Sequence, residues 1–151
     1  MHVEHTGRFM LPVPLRDALT FFSPEGERAW VPGWEPEYLH PLQPSNEVGT
    51  IFRTQHHGEE TLWVVLQYDP VAGLATYGRF TPESRIGTVH VQCEEVEPSR
   101  TQVTVTYALT ALSAHGTGIL TALTADRYAE MLKEWGEAIV RWQSAGSGPS
   151  E

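Results

Sequence analysis

Tyr128, Leu132, Trp135, Ile139 and Trp142 recur at alternating steps of four and three residues near the end of the chain. That spacing places all five on one face of a helix running from Thr124 to Trp142. The opposite face carries Glu130, Lys133, Glu134, Glu137 and Arg141 and stays in water, with Glu137 four residues before Arg141 to add a few tenths of a kcal/mol. Thr124 is placed to cap the first turn, and Asp126 lies against the positive end of the helix dipole. So broad an aromatic face needs a large, curved partner. The only candidate is a sheet built from the preceding residues, and a sheet gripping a helix leaves a cavity wherever the two surfaces do not fill each other.

The preceding residues read as strands. Residues 2 to 11 alternate weakly and form a first strand. Pro14 then opens a short helix carrying Leu15, Leu19 and Phe22, and Ser23 caps a second over Glu25 to Val31, ended by Pro32-Gly33. Strands follow at 36 to 43, 49 to 57, 60 to 69, 74 to 81, 86 to 97 and 100 to 112, separated by turn signals such as His57-Gly58, Asp69-Pro70 and Pro98-Ser99. The last two are the clearest: Val89, Val91 and Cys93 alternate with His90 and Gln92, and Val103, Val105, Tyr107 and Leu109 with threonines. Residues 1 to 143 form one ligand-binding domain, and the small polar tail 144 to 151 is expected to be disordered.

Charge and cysteine content narrow the function classes. Ten basic residues against 19 acidic ones give a formal charge of −9, and the basic residues are scattered singly. No patch is available to neutralise phosphates, so nucleic acid is not an expected partner. A single cysteine, Cys93, excludes a disulfide framework and the common zinc-finger patterns. The first residues lack a secretory leader, and the longest strictly apolar run, Leu62 to Leu66, is too short to enter and cross a bilayer. The expectation is a cytoplasmic protein without membrane insertion, either monomer or homodimer.

The order of one strand, two short helices, six antiparallel strands and a long C-terminal helix resembles the START-like superfamily, also called SRPBCC. The resemblance covers residues 2 to 142. It also rests on Phe9-Met10-Leu11-Pro12-Val13-Pro14 before the first helix, Gly49-Thr50-Ile51-Phe52 opening a strand, and Cys93 to Pro98 followed by Thr101 to Tyr107. It implies an α+β helix-grip fold, in which a curved antiparallel sheet of about seven strands wraps the last helix, and the short helices cover one end of a cavity. The same scaffold hosts binding, transport and catalysis.

No segment carries a Gly-x-Ser-x-Gly elbow, a phosphate-binding loop or a dinucleotide turn, and no cofactor is expected. Tyr107 shares the phase of Val103 and Val105 and should face the interior, where its hydroxyl needs a partner or a ligand. His90 lies on the opposite phase and should face solvent. Arg79 shares a face with Tyr77; pointing inward it would need a carboxylate such as Glu95 or Glu97, and the outward orientation is the expectation because arginine is rarely fully buried. Cys93 reads as a buried structural thiol. His56-His57-Gly58-Glu59-Glu60 reads as a polar hairpin tip, not a metal site, because adjacent strand residues point to opposite faces. Trp30 and Trp34 flank Pro32-Gly33 over the open end of the grip, where rings either contact an apolar ligand or plug the core.

These readings combine into a domain that binds a hydrophobic small molecule or lipid-like metabolite, for transport or sequestration, against Trp30, Trp34, Tyr107, Tyr128, Leu132 and Trp135. The alternative from another class is a metal-free cyclase, aromatase or dehydratase acting on a carbonyl through Tyr107, Arg79 or His90. A weaker alternative is the branch of the superfamily that binds a chaperone ATPase.

Overall fold

Every period-two segment becomes a strand in the computed structural model, which describes residues 1–146. The strands are β1 (His2–Leu11), β2 (Glu37–His40), β3 (Ile51–His56), β4 (Glu59–Asp69), β5 (Leu74–Thr81), β6 (Arg85–Glu97) and β7 (Arg100–Ala111). They form one antiparallel sheet in the order β1-β7-β6-β5-β4-β3-β2. β1 joins β7 because the long crossover from β1 to β2 leaves β7 an edge, which β1 then closes in ten-residue register from His2↔Thr110 to Leu11↔Thr101. Hairpin turns take left-handed residues where the chain reverses: His57 and Gly58 link β3 to β4 with φ of 51° and 80°.

Helix α1 (Leu15–Thr20) and a single 3-10 turn (Gly26–Ala29) follow β1; the turn is shorter than the helix expected over 25 to 31, its N-cap is Glu25 instead of Ser23, and neither element has a side-chain cap. Ser23 bridges them, its Oγ donating to the Thr20 carbonyl at 2.8 Å and accepting from Gly26 N at 3.0 Å. Helix α3 (Ala125–Gly146) extends three residues past the expected boundary at 143, so 144–146 continue the helix; 147–151 lie outside the described residues. Thr124 caps it, accepting from Arg127 N at 3.1 Å. Helix α2 (Ala114–Ala122) has no counterpart in the sequence reading. Its glycines and threonines form no strong apolar stripe, but Ser113 caps it by accepting from Gly116 N. A Cβ at Gly116 would meet the Ser84 carbonyl oxygen at 1.8 Å, so the helix rests directly on the β5–β6 turn.

Helix α3 lies across β1 and over the concave face. Gly7 of β1 leaves room for Leu132, whose Cδ1 would be 2.4 Å from a Cβ added there. Tyr128, Leu132 and Ile139 are buried, whereas Trp142 retains 44% of its surface and meets Phe21 edge-on at 5.6 Å. Two polar bonds pin the start of the helix: the Tyr128 hydroxyl donates to Val105 O at 2.6 Å, and His5 Nε2 donates to Leu123 O at 2.8 Å. At the far end of the sheet the buried Thr101 hydroxyl donates to Val13 O at 2.7 Å, tying β7 to the segment that leaves β1. Thr101→Val keeps the shape and loses that bond, so we expect a cost of about 0.5–1.5 kcal/mol, read as a lower thermal midpoint. An unchanged midpoint would show that the bond adds nothing there.

Candidate functional site

Strand register assembles the interior wall. Tyr38, Phe52, Trp63, Arg79, Gly87, Leu109 and Val3 are successive cross-strand partners, one from each strand, so their side chains share the concave face. Phe52 and Trp63 stack with their planes 6° apart, and the guanidinium of Arg79 lies 4.9 Å from the Trp63 ring centre. On its other side the row has Gly87. The backbone there runs so close to β7 that an added Cβ would meet the Ala108 oxygen at 1.9 Å. The next row contributes Val65, Tyr77, Val89, Tyr107 and His5.

Arg79 is the unusual member. Its Nε is fully buried and without a hydrogen-bond partner among the described residues, and no carboxylate stands within ion-pair distance of it. Burial holds its pKa below the usual arginine value. Tyr107 lies beside it, ring centre 6.0 Å from the guanidinium carbon, and burial pushes that phenol up to about 12 against the pull of the cation. On the 3-10 turn, burial raises the Glu27 carboxyl well above its usual range, with Arg79 pulling the other way. Arg79 and Glu27 each keep part of their surface accessible.

The inward orientation of Arg79 corrects the expectation that it faces solvent. Neither glutamate foreseen as its partner is near it in role: Glu95 accepts from Leu15 N at 3.2 Å, and Glu97 pairs with Arg100 at 3.1 Å. Glu27 was not foreseen at all, since an acidic residue in the first turn of a short helix ordinarily complements the dipole from solvent. His90 sits on the convex face, bonded through Nδ1 to Thr76 Oγ1 at 2.6 Å. Cys93 is buried, and its thiol is pushed up to about 12, which leaves it unreactive.

The tryptophans close the covered end. Trp30 donates from Nε1 to Phe21 O at 2.8 Å and meets Phe22 and Trp135 edge-on at 5.6 and 5.5 Å. Trp34 donates to Pro24 O at 2.8 Å and abuts Phe52 and Trp63. Trp135 also approaches Tyr107 at 6.2 Å, and Tyr128 meets Tyr107 edge-on at 5.2 Å. Leu132 is buried under the same helix face, next to β1. Tyr77 reaches across from the sheet and donates to Phe22 O at 2.6 Å, fastening the cover to the wall. At the β3–β4 tip His56 and His57 touch, but Glu59 turns to Arg85 and His115 at 3.2 Å each. Among the described residues no three His, Cys, Asp or Glu side chains gather to hold a metal ion. Two open hollows on the surface, of about 420 and 460 Å³, are lined by residues of the β1–α3 groove and of the β3–β4 tip; neither includes Arg79, Tyr107 or Glu27.

No protein-family model matches the chain, and no curated protein matches it. Solved structures do. Norcoclaurine synthase from Thalictrum flavum, in complex with dopamine and hydroxybenzaldehyde, matches over 99% of this chain and 90% of that one, with a TM-score of 0.67 at 13% identity. A hypothetical protein from Helicobacter pylori gives a TM-score of 0.71 at 8% identity, over 93% of this chain and 87% of its own. Ara h 8.0201 gives 0.64 at 12% identity, over 96% and 99%. At these identities the likeness is one of fold: the chain has the seven-stranded helix-grip architecture that the resemblance implied. Among the described residues no helix is long and apolar enough to cross a membrane.

Proposed function

We propose that the chain binds a hydrophobic small molecule in the recess between the sheet and α3, with Arg79 and Tyr107 meeting its polar end. The observation that carries this reading is the enclosed guanidinium with a partnerless Nε. A buried hydrogen-bonding group left unmade costs about 1–3 kcal/mol, more when charged, and such a group is retained where a ligand completes it. The surrounding rings of Trp63, Trp135, Tyr107 and Trp30 supply the apolar body of such a site. The test is fluorescence titration with the neutral apolar reporter N-phenyl-1-naphthylamine. We expect saturable enhancement at one equivalent, and a linear, unsaturable signal would sink the reading.

Within that site Tyr107 supplies a hydroxyl directed at the ligand's polar end. Tyr107→Phe should weaken a ligand that accepts from it by about 0.5–1.5 kcal/mol, the net worth of a neutral hydrogen bond, as read by calorimetry.

One observation favours a second reading. Glu27, whose carboxyl burial raises well above the usual range, is suited to protonating a carbonyl oxygen whose developing charge Arg79 would stabilise. Here the chain would be an enzyme of the cyclase or dehydratase kind, with Glu27 in the part first considered for Tyr107, Arg79 or His90. A ketone substrate turned over by the wild type and slowed about a hundredfold or more by Glu27→Gln would establish it. Turnover unaffected by that change would remove it.

A further inference from the structure

We infer that the ligand of this recess carries a planar monoanionic group, a carboxylate, bound by the guanidinium of Arg79. The inference rests on the binding reading and goes further by naming the chemical class. It starts from which edge of the guanidinium is free. The face of the guanidinium is taken by Trp63 at 4.9 Å, so its hydrogen-bonding edges are what remain for a ligand. The buried Nε has no accessible surface, which leaves the edge between the two terminal nitrogens. An edge presenting two terminal N–H groups matches the two oxygens of a carboxylate, and such bidentate pairs are the strong, geometrically selective ones.

Charge argues the same way. Arg85, the neighbouring cation, is engaged with Glu59 through two contacts of 3.2 and 3.4 Å, so Arg79 stands without a compensating anion of its own. An enclosed cation in that condition favours a ligand bringing one negative charge. A dianion such as a phosphate monoester would leave a second charge uncompensated among aromatic rings.

The test compares matched pairs that differ only in charge: 2-naphthoate against 2-naphthamide, and benzoate against benzamide, titrated calorimetrically into the full chain at neutral pH. We expect the acid of at least one pair to bind about tenfold or more tighter than its amide. Folded Arg79→Met, checked by circular dichroism, should bind acid and amide equally. If the variant does not fold, the wild-type ratio decides. Acid and amide binding alike in the wild type, or a preference that survives in Arg79→Met, overturns the assignment while leaving the binding reading in place, provided N-phenyl-1-naphthylamine still saturates. Failure of the neutral reporter together with all four compounds overturns both.

Discussion

Replacing Trp135 with alanine is expected to lower stability by about 3 kcal/mol, the lower end of the range for removing a large aromatic from a core. The ring packs against Trp30 at 5.5 Å, Tyr107 at 6.2 Å and Phe22 at 6.4 Å, so its loss opens a void bounded by three other rings. The cost falls at the low end because Trp135 is only half-buried, and its accessible atoms have no packing to lose. For a chain of this size the thermal midpoint should drop by roughly 6–12 °C. Trp142→Ala is the internal control. It lies on the same helical stripe but is 44% exposed with one ring neighbour, and should cost about 1 kcal/mol or less. Equal effects of the two substitutions, or none from Trp135→Ala, would mean that α3 is not seated over the wall as described.

The contrast between these tryptophans shows how much could be read in advance. Period 3.6 identified the stripe and period 2 identified the strands, because each is imposed by a large surface that must leave water. The same phasing put Tyr107 inside and His90 outside, as found. Periodicity failed where a residue's environment breaks the rule for its type. Arg79 occupies an apolar phase, and the general aversion of arginine to burial pointed it outward; the pattern was right and the residue-type preference was not. Glu27 offered no signal at all. Its burial depends on how a four-residue 3-10 turn packs against the rest of the fold, which is a tertiary fact with no local trace. Helix α2 was missed for a different reason: two glycines and weak amphipathicity conceal a helix held by the Ser113 cap and by close contact with Ser84. Such local inconsistencies concentrate where a fold serves something besides stability, and Arg79 and Glu27 are the two on which the proposed readings of the site rest.

Glu27→Gln is expected to stabilise the protein at pH 8 by about 1–3 kcal/mol and to have little effect near pH 4.5. The sign follows from linkage. Burial raises the folded-state pKa of Glu27 above its ordinary value of 4.5, so the folded protein holds that proton more tightly than the unfolded chain does. Below the ordinary value both states are protonated and the group's contribution is fully present. As pH rises through the raised folded value, the unfolded chain has released its proton, while the folded state either keeps one or carries an enclosed charge, and stability is lost. Glutamine does not titrate, so the gap between variant and wild type should open upward from pH 4.5 and level off beyond the folded pKa. Arg79 works against this trend, since its charge favours ionised Glu27. If that attraction dominated, Glu27→Gln would instead destabilise the protein at pH 8, and chemical denaturation at the two pH values separates the cases. The outcome bears on the site itself. A Glu27 that stays neutral leaves the charge of Arg79 uncompensated and able to meet a ligand's carboxylate, whereas an ionised Glu27 would already fill that role, and the buried guanidinium would have no anion left to seek.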